Sequence, residues 1–222
     1  MTFNKIKQLI LLTLISLTFS GCAAAIIPMM VASYATSGFL IFKTVQTSTG
    51  GSVNISFTDN EISVKNKIEL SEIAKPGIWA DNNAEVYAAE KMENSGAFEL
   101  VITPARTAKA ILKLELMDQI NSMTNSERLN AFKLLCEETG ADSMIAFKNM
   151  GTEADTSIWS FSRANMTHRS KMLIYSYKTN RILYETTMEI KSEISSTIHN
   201  DQEILKIAGE AAAEKIILLT SS

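Results

Sequence analysis

Reactive side chains are scarce in this sequence. Its 222 residues include two cysteines and two histidines, so nucleophilic or metal chemistry has only Cys22, Cys136, His168, His199 and the carboxylates to draw on. Cys136 lies in LNAFKLLCEETG (129–140), where Leu129, Phe132 and Cys136 recur at i, i+3 and i+7. A thiol in such a stripe is a small buried hydrophobe, and a nucleophilic role would require a base beside it. His168 stands among Thr167, Arg169 and Ser170 on a predicted strand. Without a second histidine at motif spacing it reads as a surface or edge residue. Asp201 and Glu203 open a predicted helix, where acids complement the dipole, and Glu137-Glu138 reads as a solvated helix end. Glu153 and Asp155 sit in a polar loop as the remaining cation candidates. No Gly-rich phosphate loop, HExxH, GxSxG or CxxC pattern occurs. The expectation is a non-catalytic protein with no metal, no cofactor and no small-molecule substrate.

One stretch carries the residue types of an interface. MGTEADTSIWSFSRAN (150–165) is long for a connection within one domain, and long connections are often functional. Trp159, Phe161 and Arg163 stand in it among serines, and Trp, Phe and Arg are typical binding anchors. Two readings stand: these three side chains bind a partner, or they extend the following strand and bury their rings.

Cys22 has a different setting. Lys5 and Lys7 precede an apolar run, QLILLTLISLTF (8–19), and Ser20-Gly21 follow. That order is a secretory signal peptide, too short for the roughly 20 residues of a spanning helix. The stretch Phe19-Ser20-Gly21-Cys22 resembles the bacterial lipoprotein signal, the lipobox, with Phe19 where Leu is usual. The resemblance implies palmitate-type acylation of Cys22, which becomes the mature N-terminus, and Ala23 in place of Asp implies the outer membrane. The alternative is an uncleaved anchor with an incidental cysteine. Acyl chains contribute about 0.8 kcal/mol per buried CH₂, so more than one chain anchors durably. With Cys22 acylated, only Cys136 remains, and no intramolecular disulfide is available.

The stretch from Ala23 to Phe42 carries no charge. It is long enough to span a bilayer, but Pro28, Gly38 and several Ser/Thr favour a segment packed on the domain or lying in the lipid interface. Past the signal about 200 residues remain, enough for one domain with a core. Net charge is −3 with both signs interspersed, which leaves no basic face for nucleic acid.

Period and turn residues predict the elements. Gly50-Gly51 joins two strand-like runs into a hairpin over 42–57. Residues 58–70 read as a polar connection, and 73–81 as a strand put at an edge by Pro76-Gly77. A helix ends at Gly96, FELVI (98–102) reads as a short strand, and Thr103-Pro104 opens a helix to about Leu114. Thr124 with Glu127 makes a capping box for the helix carrying Cys136, which stops near Gly140. A strand follows over 141–149. Residues 165–177 and 181–194 form a hairpin, and 201–219 a helix with Leu205, Ala208, Ala212, Ile216 and Leu219 along one stripe. This is an α/β (α+β) class: a mixed sheet with helices packed on it, a terminal antiparallel hairpin and a C-terminal helix.

Two passages, ENSGAFELVITPARTAKAIL (93–112) and EETGADSMIAF (137–147), resemble the helix–Gly–strand–Pro–helix and helix–Thr-Gly-Ala-Asp–strand passages of one envelope group. They are similar to lipoproteins of the curli-secretion-channel type, to penicillin-binding-protein activator lipoproteins, and to the N-terminal domain of the TolB translocation protein. The resemblance spans residues 72–219. It implies a TolB N-terminal-like fold and non-enzymatic work at the periplasmic face: binding proteins, activating a cell-wall synthase, or assembling a secretion ring. The chain departs from the activators in lacking a long polar tether. It departs from the channels because the strands of its 42–57 hairpin have about six residues against the 9–11 of a membrane strand.

The expected organisation is a lipoprotein signal peptide (1–21), a lipidated apolar membrane-proximal segment (22–42) and one periplasmic α/β domain (43–222). Its expected partners are the membrane, through the N-terminal lipid, and an envelope protein. The alternative is self-assembly into an envelope ring or secretion complex.

Overall fold

Strand β1 (Leu40–Gln46) and strand β2 (Ser52–Asp59) pair antiparallel across the Gly50-Gly51 turn. The computed structural model describes residues 40–48, 50–59, 61–79, 84–118, 125–155, 164–194 and 201–221. The hairpin expected from sequence is present, and its first strand already includes Leu40–Phe42, the end of the uncharged stretch. Val53, Ile55 and Phe57 alternate inward from β2, as one buried face of an antiparallel pair requires.

The remaining strands are β3 (Pro76–Trp79), β4 (Ser143–Asp155), β5 (Ala164–Ser176) and β6 (Arg181–Ile194). They form one six-stranded sheet in the order β1-β2-β6-β5-β4-β3. Only β3 and β4 run parallel; the other neighbours are antiparallel. The mixed sheet and the terminal β5–β6 hairpin match the sequence reading, and β3 with its leading proline lies at an edge. Its outer side is not bare, because Ile102 exchanges backbone hydrogen bonds with Pro76 (2.9 Å) and Ile78 (3.0 Å). Of the expected strand 98–102, this single bridge at Ile102 is what forms.

Five helices are described: α1 (Val64–Ser71), α2 (Ala84–Ser95), α3 (Pro104–Lys113), α4 (Asn125–Thr139) and α5 (Asp201–Thr220). Gly96 (φ +67°) and Gly140 (φ +74°) end α2 and α4, as expected of residues that tolerate the left-handed region. Thr103 occupies the N-cap of α3 with Pro104 at its first turn, although the threonine side chain makes no capping bond. Thr124, the proposed cap of α4, lies outside the described residues. Helix α1 corrects the polar connection expected over 58–70: Ser63 caps it by accepting from Asn66 N (3.2 Å).

The helices cover both faces of the sheet unequally. On one face α1, α2 and α5 close over Val53, Ile55, Phe57, Phe147, Ile174, Met188 and Ile190. On the other, α3 and α4 cover Met144, Ala146, Leu173 and Tyr175 with Ile111, Phe132, Leu135 and Cys136. That second layer stops at β5. The outer face of β2 and β6 is left polar, with Arg169–Glu189 (2.9 Å) and Lys171–Glu185 (2.8 Å) laid across β5 and β6 and Lys191–Glu189 (2.8 Å) along β6.

Helices α2 and α5 meet through small residues. Ala84, Ala88 and Ala89 face Ala208, Ala211 and Ala212, all buried, and Gly209 sits where a Cβ would come within 2.1 Å of the Ala84 carbonyl oxygen. The Thr-Gly-Ala-Asp passage proves to be a clamp. Asp142 Oδ2 accepts from Ala74 N (2.7 Å) and Lys75 N (2.8 Å), tying the entry of β3 to that of β4.

Candidate functional site

The residues expected to carry function lie at or beyond the margins of the described chain. Cys22, Trp159, Phe161, Arg163 and His199 are outside the described residues. The frame around residues 156–163 is nevertheless clear. β4 runs to Asp155 and β5 begins at Ala164, with Asp155 paired to Asn165, so the connection expected over 150–165 shortens to 156–163. Glu153 and Asp155 therefore belong to a strand rather than a loop. A bulge at Gly151 (φ +120°) interrupts the ladder between Asn149 and Gly151.

Register separates the two ends of the sheet. Leu40 pairs with Phe57, Phe57 with Met188, and Met188 with Ser170. β1 leaves that row toward the end where Asp155, Asn165 and Glu193 pair. β1 thus starts level with the middle of β6 and runs toward the end at which the connection bearing Trp159 joins β4 to β5. From Met188, level with Leu40, to Glu193 along β6 the separation is roughly 17 Å.

At the entry end, a polar network locks α5 to the sheet. The Asp59 carboxylate accepts from Tyr184 Oη and Lys215 Nζ, and Thr186 Oγ1 lies 2.9 Å from Asp59 Oδ1. Burial alone would raise the Asp59 carboxyl; the bonds from Lys215, Tyr184 and Thr186 outweigh it and hold it below its ordinary range. The Lys215 ammonium also stands 5.6 Å from the Phe57 ring centroid. On the polar outer face, Lys191 and Arg169 likewise overcome the burial of Glu189 and keep it ionised.

Between α2, α5 and the strands is a small pocket lined by Glu85, Phe147, His168, Ser170, Leu205 and Gly209, among others, with room for about one water molecule. His168 is not the edge residue expected. It lies on the central strand β5, half-buried, and burial pulls its imidazole below the usual range. The signal was available in the alternation: Met172 and Ile174 are core residues, so His168 and Ser170, at even spacing from them, share their face. Glu85, exposed by only 2 %, was missed because its position in the first turn of a helix usually places a carboxylate in water. Histidine, serine and carboxylate are the types of a hydrolytic site, but the space among them does not admit a substrate. Ser170 Oγ is committed to the Lys148 carbonyl (3.3 Å).

The other candidates resolve into structural roles. Cys136 is buried under α3 and its thiol is pushed up to about 12, chiefly by burial. Glu138 pairs with Lys113 (2.6 Å), and Glu137 accepts from Tyr177 Oη (3.2 Å). Glu203 accepts from Ser48 N (2.9 Å) and Ser48 Oγ (2.8 Å), tethering the β1–β2 turn to α5. Among the described residues no group of three or more His, Cys, Asp or Glu could hold a metal ion. No described helix is long and apolar enough to cross a membrane.

No protein-family model matches this chain, and no curated protein matches it. Solved structures similar in fold include the PelC dodecamer from Paraburkholderia phytofirmans, at 10% identity and a TM-score of 0.40, covering 76% of this chain and 97% of that one. The lipoprotein GNA1162 from Neisseria meningitidis is 15% identical with a TM-score of 0.39, over 67% of this chain and 99% of its own. The hypothetical protein CT253 from Chlamydia trachomatis is 9% identical with a TM-score of 0.45, over 68% and 99%.

Proposed function

We propose that this chain is a lipid-anchored lipoprotein on the periplasmic face of the outer membrane. In this reading it works without catalysis, as a protein-binding activator or assembly factor of the cell envelope. The observation that carries the reading is the Ser20-Gly21-Cys22 junction at the end of an apolar leader, followed by an uncharged stretch that runs directly into β1. Acylation of Cys22 confines the domain to the membrane surface and raises its effective concentration for other anchored proteins.

The orientation of the sheet supports this division of labour. The anchor side is the side from which Leu40 enters, since β1 runs from the level of Met188 toward that of Glu193. The connection with Trp159, Phe161 and Arg163 joins Asp155 to Ala164 at the opposite end, facing the periplasm, where a partner would meet it. Crosslinking in intact cells, followed by purification of the lipidated protein, tests the reading. A defined envelope protein is expected to co-purify, and Trp159→Ala is expected to lose it with the fold intact. Unchanged capture by Trp159→Ala refutes the role of that connection. Cys22→Ala is expected to leave the membrane fraction; full retention would point to residues 23–42 instead.

A second reading, a self-assembling subunit of an envelope ring or secretion complex, is favoured by one observation. β1 is an edge strand with no partner on its outer side among the described residues. A bulge between Ile41 and Lys43 and the inward Lys43, which pairs with Glu214 (2.8 Å), oppose pairing along this edge and make the second reading the weaker of the two. The native mass of the protein extracted in mild detergent separates the readings: a discrete large homo-oligomer supports the second, and a monomer or a one-to-one complex the first.

A further inference from the structure

Helix α1 is built inside out. Its inward side makes polar bonds: Asn66 Nδ2 donates to the Leu183 carbonyl (2.8 Å), and Glu69 accepts from Arg181 Nη2 (2.8 Å) and Thr179 Oγ1 (3.1 Å). Just past the helix, Glu72 pairs with Lys178 (2.8 Å). Leu70 is the one buried residue of this helix. The outward side carries Val64, 75% exposed, and Ile68, 58% exposed, one turn apart and therefore adjacent. Lys65 and Lys67 stand exposed beside them and form no salt bridge among the described residues. The exposed acids nearest in sequence are Glu61, before the N-cap, and Glu72, one turn beyond Ile68 and engaged by Lys178. Helix α5, which packs on α1, also exposes an apolar residue near its C-terminal end, Leu218 at 52%.

This patch has a defined position. Helix α1 is pinned to the β5–β6 turn, and Lys215 near the end of α5 is pinned to Asp59. Both therefore lie on the side of the sheet that β1 runs away from: Leu40 is level with Met188, midway along β6, and follows Cys22 by 18 residues. We infer that the outward face of α1, with Leu218, lies in the interface of a bilayer containing anionic lipid. Val64, Ile68 and Leu218 enter the headgroup–acyl boundary, while Lys65 and Lys67 reach the lipid phosphates. Apolar residues flanked by lysines are what such an interface takes. A water-facing helix would carry the reverse pattern, apolar inside and polar outside. The inference rests on the lipid-anchored reading and adds to it which surface faces the membrane. The domain would then be held in one orientation, with the 156–163 connection turned away from the lipid.

The test uses the full lipidated protein in vesicles of phosphatidylethanolamine and phosphatidylglycerol. Ile68→Cys, and separately Val64→Cys, are labelled with an environment-sensitive fluorophore; Glu193→Cys carries it at the far end, and Cys136 is buried. Flotation of the vesicles reports the anchor, and quenching by spin-labelled lipid reports the patch. Emission at 68 and 64 is expected to fall about twofold or more on adding quencher lipid, with none lost at 193. Exchanging Lys65 and Lys67 for Gln, or phosphatidylglycerol for phosphatidylcholine, is expected to reduce that quenching. Full flotation with no quenching at 64 and 68 overturns the inference while leaving the anchor intact. Loss of flotation instead overturns the anchored reading. Emission that changes with protein-to-lipid ratio but not with quencher lipid overturns it in favour of a second copy on this face.

Discussion

Gly209→Ala sets two physical effects of opposite sign against each other. Exchanging glycine for alanine inside a helix stabilises it by about 1 kcal/mol through propensity alone. At this site the added methyl would lie 2.1 Å from the Ala84 carbonyl oxygen and 2.9 Å from Tyr87 Cβ, against roughly 3.5 Å for an ordinary non-bonded contact. The nearest obstacle is backbone, so no rotamer change relieves it, and α2 and α5 must part by about 1 Å or more. Parting them loosens the contact of Ala84 and Ala88 with Ala208 and Ala212. Overpacking of this kind costs about 1–3 kcal/mol, and a backbone obstacle belongs at the upper end. After the propensity gain, a net destabilisation of about 1–2 kcal/mol remains. In a domain of this size that lowers Tm by about 2–8 °C. Thermal and urea unfolding followed by circular dichroism measure it directly, and Gly209→Ser should cost at least as much. A Gly209→Ala protein as stable as the wild type, or more stable, would refute the close approach of the two helices.

Asp59→Ala removes the acceptor shared by Tyr184 and Lys215. It should cost about 1.5–3 kcal/mol in urea unfolding, discounted for the partial exposure of the site, with Asp59→Asn in between; a cost near zero would mean that water replaces the network freely. Because burial keeps the His168 imidazole below its ordinary 6.5, the folded state binds fewer protons there than the unfolded chain. Stability should be full above that pH and decline as pH falls below it, and His168→Gln should flatten the decline; an unchanged profile would place the titration elsewhere. Asp59 and Glu189, held below 3.8 and 4.5 respectively, should add a second loss as pH falls below those values. The lipidated native protein should show no thiol reactive to a disulfide reagent, and one after unfolding. A fast native thiol would mean that Cys22 is not acylated, and reaction in native Cys22→Ala would refute the burial of Cys136.

Much of the fold was legible because its signals are local. Gly50-Gly51 between alternating runs, Thr103-Pro104, and the stops at Gly96 and Gly140 each act within a few residues, and each lies where the pattern put it. Helix α1 was not legible, because one buried side chain gives no periodic stripe and its inner face holds polar groups that read as a loop. The reach of β4 to Asp155 escaped for a related reason: Glu153 and Asp155 have low strand propensity and become strand through pairing with β5. At Phe98–Ile102 the composition favours a strand, yet only Ile102 finds a bridge, because strand formation depends on an available neighbour.

By itself the sequence determined the apolar run ahead of Cys22, the uncharged approach to the domain and the alternation of helices with strands, since these depend on residue type and short-range spacing. Tertiary structure alone decided the strand order and that Lys215 and Tyr184 converge on Asp59. It also pointed the apolar side of α1 outward. Those facts join residues more than a hundred positions apart, and no local pattern encodes them. They arise only when one sheet must bury two faces at once, and polar groups taken inside, such as Asp59 and Tyr184, are stabilised by partners there.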